Sequence, residues 1–189
     1  YYDHSSVYRI SDNKRNGFSI RCLETIEGCT DSYACNYNEE ANADDGSCDD
    51  YVELWGECYN IEETTELDLS ESGLTGEIPL EIGNLINLTS LDLGFNNLTG
   101  EIPLQIGNLT NLSSLGLYNN QLSGEIPSEI GDFTYLFYLN LCGNQLIGEI
   151  PLEIGDLVNL EYLFLCENNL SGEIPLEIGD LVNLEYLFL

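Results

Sequence analysis

Along two-thirds of the chain, apolar and polar positions recur in one fixed order. The clearest copy covers residues 160–183 and reads Leu-Glu-Tyr-Leu-Phe-Leu-Cys-Glu-Asn-Asn-Leu-Ser-Gly-Glu-Ile-Pro-Leu-Glu-Ile-Gly-Asp-Leu-Val-Asn. Within it Leu163 and Leu165 alternate with Tyr162 and Phe164, the period-two pattern of a strand with one buried face. The five prolines, Pro79, Pro103, Pro127, Pro151 and Pro175, are spaced 24 residues apart. Aligning on them gives five units over 64–183 and the start of a sixth at Leu184, and residues 148–165 recur unchanged as 172–189. A period in this range predicts a solenoid whose units stack their strands into a parallel sheet.

The rest of the unit follows from the same reasoning. Three residues after the second strand leucine stands Asn96, Asn120, Asn144 or Asn168, replaced in the first unit by Ser72. A buried amide there can bond the turning backbone of its own and the next unit, which predicts a structural asparagine ladder. Gly-Glu-Ile-Pro supplies a flexible corner and a short extended piece, because Pro fixes φ and keeps the preceding residue out of the helical region. Only Leu-Glu-Ile-Gly-Asp-Leu remains for the other side, room for a turn or two of 3₁₀ helix. The expected class is therefore an α/β solenoid dominated by its parallel sheet, with short 3₁₀ segments on the convex side.

Charge changes the picture of possible partners. The chain has 34 acidic and 4 basic residues, a formal charge of −30, and no Lys or Arg after Arg21. Phosphate backbones and anionic lipid surfaces repel such a chain, so no nucleic-acid partner is expected. No apolar run approaches the ~20 residues of a membrane span, so no membrane insertion is expected in this segment. The chain lacks Met, begins Tyr1-Tyr2 and stops at Leu189 within the repeating pattern, so a piece of a larger protein is expected.

The repeat Leu-x-x-Leu-x-Leu-x-x-Asn-x-Leu-x-Gly-x-Ile-Pro-x-x-Ile-Gly-x-Leu-x-Asn over 64–189 resembles the plant-type leucine-rich repeat. The resemblance implies a curved horseshoe with its sheet on the concave face, used for binding proteins, peptides or glycans. Leu54-Trp55-Gly56-Glu57-Cys58 ahead of Thr65-Glu66-Leu67-Asp68-Leu69-Ser70 is similar to that family's N-terminal cap, placed at 52–63. A cap is physically needed, since the first unit otherwise exposes its leucine layer. Upstream, Gly28-Cys29-Thr30-Asp31, Ala34-Cys35-Asn36-Tyr37-Asn38 and Asp44-Asp45-Gly46-Ser47-Cys48 resemble a short cysteine module of bacterial secreted proteins, a linker at 24–51. With so few apolar residues it needs cross-links in place of a core, which would set it outside the cytosol. The preferred pairing joins Cys29 to Cys48 and leaves Cys35 to reach Cys58, although spacing alone does not fix connectivity. Residues 1–23 resemble the C-terminal end of a Fibrobacter major paralogous domain, with Cys22 separated from its partner.

Candidate chemistry is sparse. His4 is the only histidine and lies outside the repeats, so Cys-His and Ser-His arrangements are not open to the solenoid. Glu77, Glu101, Glu125, Glu149 and Glu173 form a column, joined by Glu81, Glu129, Glu153 and Glu177. Their regular repetition reads as a solvated face and not as a glycosidase pair, and no enzyme is expected. No cofactor is expected beyond a weak case for calcium: Asn42, Asp44, Asp45, Asp49 and Asp50 gather oxygen ligands around Gly46, but without the spacing of a calcium loop, so a simple Asp-Asp-Gly turn competes. Cys142 and Cys166 hold equivalent places in adjacent units, where side-by-side parallel positions seldom offer the disulfide dihedral; two free thiols are expected. Asn87, Asn97, Asn108, Asn111 and Asn169 open Asn-x-Ser/Thr sequons as a by-product of the consensus.

Outward strand positions give two columns: Glu66, Ser90, Ser114, Tyr138, Tyr162, Tyr186, and Asp68, Asp92, Gly116, Asn140, Phe164, Phe188. Both pass from small or acidic to aromatic. With Tyr118 added, the candidate ligand-binding residues are Tyr118, Tyr138, Asn140, Tyr162, Phe164, Tyr186 and Phe188. Exposed rings in a column are costly without a partner, whereas rings stacked at strand spacing can simply reinforce a sheet. The expected function is an extracellular or cell-surface binding and adhesion module for a protein or glycan partner, monomeric in its full-length context. A non-binding structural spacer is the competing reading.

Overall fold

A computed structural model describes residues 25–189 apart from residue 33. The likeness expected over 1–23, including Cys22, lies outside the described residues. The described residues divide into two compact units, the first ending at Asp49 and the second running Asp50–Leu189.

In the first unit, Glu27–Gly28 pairs in parallel with Ala43–Asp44, and a 3₁₀ turn covers Ser47–Asp49. Cys29 is its one buried apolar side chain among the described residues, and it is bonded to Cys48. The Asn36 amide donates to the Ser47 carbonyl at 2.7 Å, tying the middle of the segment to its end. Cross-linking and local hydrogen bonds thus replace a core here. Cys35 remains a half-buried thiol, so the link to Cys58 expected from the sequence is not formed. Cys58 lies on an exposed strand edge.

The second unit opens with an antiparallel hairpin, Tyr51–Leu54 against Glu57–Asn60. Its two-residue turn is Trp55-Gly56, with φ of 50° and 88°, the left-handed pair whose twist matches a hairpin. Val52 and Leu54 enter the same apolar cluster as Leu67, Ile82 and Leu85, closing the first leucine layer. Beyond it six strands form one parallel sheet, a strand per coil: Glu66–Asp68, Ser90–Asp92, Ser114–Gly116, Tyr138–Asn140, Tyr162–Phe164 and Tyr186–Phe188. We number the coils 1 to 6 in this order. The strand leucines Leu91, Leu115, Leu139 and Leu163 are fully buried, each worth roughly 1.5–3 kcal/mol of burial.

Opposite the sheet run five 3₁₀ segments, Leu80–Asn84, Leu104–Asn108, Ser128–Asp132, Leu152–Asp156 and Leu176–Asp180, each led by its proline. No long helix is present among the described residues, and none is long and apolar enough to cross a membrane. Between sheet and 3₁₀ segment the chain does more than turn a corner. Thr75–Gly76, Asn97–Glu101 and Gln121–Ser123 form a second, three-stranded parallel sheet that the repeat pattern did not predict. It continues as a single bridge between Glu125 and Ile147. Gly124 sits here at φ 76°, where an added Cβ would lie 2.7 Å from Glu101 Cγ. Only glycine lets the glutamate of one coil lie against the backbone of the next.

Candidate functional site

The outward columns are aligned by the sheet itself. Ser114, Tyr138, Tyr162 and Tyr186 are direct neighbours in the register, as are Gly116, Asn140, Phe164 and Phe188. In coils 4 to 6 the rings meet one another. Tyr162 and Tyr186 stack at 5.0 Å and 7°, Phe164 and Phe188 lie 5.3 Å apart, and Tyr138 reaches Tyr162 at 6.2 Å and Phe164 at 5.8 Å. Such contacts stabilise the sheet by about 0.5–1.5 kcal/mol per pair beyond burial. Tyr138, Tyr162 and Phe164 nonetheless stay half-exposed, outside the leucine core. Partial burial, and then the carboxylate of Glu185, push the Tyr162 phenol above its ordinary value.

Coils 1 to 3 present a different surface. Asp68 and Asp92 are register neighbours, preceded in the other column by Glu66 and Ser90. The Ser70 hydroxyl and amide donate to Asp68 Oδ1 at 2.7 and 3.0 Å and hold its carboxyl below the usual range. Asp92 accepts from the Gly94 amide at 2.8 Å and from the Tyr118 hydroxyl at 3.4 Å. The Tyr118 ring lies over Gly94, where an added Cβ would sit 2.4 Å from it, and meets Phe95 edge-on at 5.2 Å. Burial, and then the Asp92 carboxylate, raise the Tyr118 phenol. At the junction of the two surfaces Asn140 donates to the Tyr138 hydroxyl at 2.9 Å and accepts from the Cys142 amide at 3.1 Å.

Phe95 is not among the residues expected from the sequence, which are outward strand positions and Tyr118. It is exposed, in the left-handed region at φ 52°, and its signal is its place directly before the ladder residue Asn96. The ladder also runs the other way from the expectation. Asn120 donates to Leu117 and Tyr118 of its own coil and to Leu93 of the preceding one, and it accepts from the Leu98 amide, also of the preceding coil. Asn96, Asn144 and Asn168 repeat the pattern. A second, exposed ladder was missed: Asn87, Asn111, Asn159 and Asn183 donate to Glu62, Ile86, Thr134 and Val158 one coil back. Two of these, Asn87 and Asn111, also open Asn-x-Ser/Thr sequons.

Cys142 and Cys166 are bonded, with Cα atoms 4.6 Å apart, which corrects the expectation of two free thiols. The physical reason is position. Both lie beyond the strand ends at residues 140 and 164, where each chain turns into a left-handed residue, Gly143 at φ 70° and Glu167 at φ 54°. They stand just outside the paired strand residues, where the Gly143 amide still donates to the Cys166 carbonyl at 3.0 Å and keeps the two coils together. In the first unit, Asp44 and Asp45 accept from the Gly46 and Ser47 amides at 3.0 Å, and Asn42 accepts from Ile26. The two aspartate bonds are turn bonds, with Asp45 lowered by Ser47, the Asn42 bond spans the segment, and Asp50 is exposed. Among the described residues no group of three or more His, Cys, Asp or Glu converges on a metal position.

The Leucine Rich Repeat family model matches residues 63–85, 87–109, 111–133, 135–157 and 159–181. A comparison with curated proteins returns no match. Among solved structures, the plant peptide hormone receptor RGFR1, in complex with RGF2, is 46% identical with a TM-score of 0.62 over 65% of this chain and 21% of that one. The Arabidopsis receptor kinase HAESA, in complex with the peptide hormone IDA and the co-receptor SERK1, is 43% identical with a TM-score of 0.64, over 66% and 21%. The ectodomain of the receptor kinase SOBIR1 from Arabidopsis thaliana is 32% identical with a TM-score of 0.63, over 72% and 76%. The chain spans about a fifth of the length of the first two.

Proposed function

The chain belongs to the leucine-rich-repeat family, and on that premise we propose that it is an extracellular binding module that holds a protein or peptide segment across the outward face of its six-stranded sheet. The carrying observation is the aromatic surface of Tyr138, Tyr162 and Phe164, half-exposed and outside the leucine core. Rings in water are unfavourable unless something covers them. Structural neighbours of similar sequence include a plant peptide hormone receptor in complex with RGF2 and a receptor kinase in complex with the peptide hormone IDA, which supports the same use of the fold. The two disulfides support an oxidising compartment, and the upstream likeness to bacterial secreted modules supports a microbial, exported setting. The reading includes no catalytic step.

Ring geometry favours a protein over a glycan. Tyr162 and Tyr186 stack at 5.0 Å, so each covers one of the ring faces on which a sugar would otherwise stack. The same stacking, with the identity of residues 148–165 and 172–189, is what favours a structural spacer as the second reading. Substitution separates them. The triple change Tyr138→Ser, Tyr162→Ser and Phe164→Ser is expected to abolish capture of a surface partner in pull-down while leaving the fold intact by circular dichroism. A triple variant that unfolds, with capture unaffected by any single change, favours the spacer.

A further inference from the structure

The two halves of the sheet face differ in chemistry, and that difference specifies a ligand. In coils 1 and 2 the outward positions are Glu66, Asp68, Ser90 and Asp92. Every basic residue of the chain lies at or before Arg21, so no side chain of the solenoid neutralises these carboxylates or could neutralise one on a ligand. Opposing like charges across an interface costs several kcal/mol, and an acidic segment is excluded. Asp92 does not stand alone. Tyr118 hydrogen-bonds it, Phe95 packs against Tyr118, and Gly116 is buried beside both, where a Cβ would lie 2.9 Å from Asp92 Oδ1 and 3.1 Å from Tyr118 Cε1. A carboxylate set against two rings over a floor of glycine is the environment that an ammonium or guanidinium prefers, combining ion pairing with cation–π attraction. Coils 4 to 6 carry no outward charge in either column, only Tyr138, Tyr162, Tyr186, Asn140, Phe164 and Phe188.

We infer that the sheet face takes an extended peptide carrying a basic side chain over Asp68, Asp92 and Tyr118 and an apolar or aromatic one over Tyr162 and Phe164. This rests on the sheet-face reading above and adds the chemistry and spacing of the ligand. Asp92 and Phe164 are three strands apart in the register. At ~4.8 Å per strand that is ~14 Å, about four residues of extended chain.

The test is a random peptide display selection against the immobilised full chain. Enriched sequences are expected to pair Arg or Lys with an apolar or aromatic residue about four positions away. The best binder should weaken about tenfold with Asp68→Asn and Asp92→Asn together, and its salt dependence should fall. Glu81→Gln with Glu153→Gln, which removes the same charge from exposed positions on the 3₁₀ side, should leave affinity within about twofold of the parent, a difference below 0.5 kcal/mol. Binders without a basic residue, or equal weakening by the two charge pairs, overturn the inference while the sheet-face reading stands. Retention of no peptide at all overturns both.

Discussion

At the scale of single residues, the ladder amides concentrate more structural consequence than their number suggests. Asn120 is 9% exposed and makes four hydrogen bonds, three from its Nδ2 to Leu93, Leu117 and Tyr118 and one to its Oδ1 from Leu98. Asn120→Ala strands those backbone groups where water does not reach, and a loss of about 2–4 kcal/mol is expected in urea denaturation, since each orphaned buried group costs about 1–3 kcal/mol. Asn159→Ala removes one exposed bond to Thr134 and should cost less than about 1 kcal/mol in the same assay. Equal losses would mean that the buried amides do not carry the joints between coils. Tyr118 is a second residue with a defined signature. Its phenol is raised, by burial first and by Asp92 second. A raised folded-state value means that the stability held by the neutral phenol is complete below the ordinary tyrosine pKa of about 10 and is lost as pH climbs through the higher folded value. Asp92→Asn should lower the Tyr118 transition in an ultraviolet difference titration, and an unmoved transition would show that Asp92 does not contribute to the shift.

At the scale of elements, the two disulfides act on different kinds of structure. The Cys29–Cys48 bond holds a segment whose buried apolar side chain is Cys29 itself, whereas the Cys142–Cys166 bond joins coils that already share a leucine core. Mild reduction should therefore strip amide-exchange protection from 27–49 while coils 1 to 5 keep theirs, and simultaneous loss in both would contradict this. Replacing Cys142 and Cys166 by Ser should lower stability by at most about 3.5 kcal/mol, the chain-entropy value for a closed loop of this length, because stacking already restricts the two coils. The elements also mark what could be seen beforehand. Unit length, strand leucines and 3₁₀ turns were legible because each is written five times and each rests on a periodic apolar position. The second sheet was not: in Asn97–Glu101 only Leu98 is buried, so no alternation announces a strand. The direction of the ladder bonds and the pairing of Cys142 with Cys166 depend on where the chain turns out of the sheet, which the spacing of identical residues leaves undetermined. Of the candidate face, the columns were legible and the Asp92–Tyr118–Phe95 cluster was not, because Phe95 lies past the strand, where the backbone takes a left-handed turn.

At the scale of the whole solenoid, attraction and repulsion are separated in space, and that separation can be measured. The stabilising part is a continuous leucine and isoleucine core running from Val52 to Leu181, which is indifferent to salt at moderate concentration. The opposing part is charge. Glu77, Glu101, Glu125 and Glu149 each lie against the glycine of the following coil, at Gly100, Gly124, Gly148 and Gly172, so the column has the spacing of the coils themselves. At ~5 Å in water each adjacent pair of unit charges repels by about 0.8 kcal/mol. Glu129, Glu153 and Glu177 form a second acidic row on the 3₁₀ segments. No Lys or Arg beyond Arg21 relieves either row. The Debye length falls from about 30 Å at 0.01 M to about 3 Å at 1 M, so added salt screens neighbours within a column as well as the rows from one another. Melting temperature should therefore rise by several degrees between low and high sodium chloride, the response expected when a few kcal/mol of repulsion are removed from a domain of this size. Calcium or magnesium should reach the same plateau at lower concentration, because a divalent ion can bridge carboxylates one coil apart. A melting temperature that stays constant across both titrations would show that the acidic columns exert no net strain on the fold.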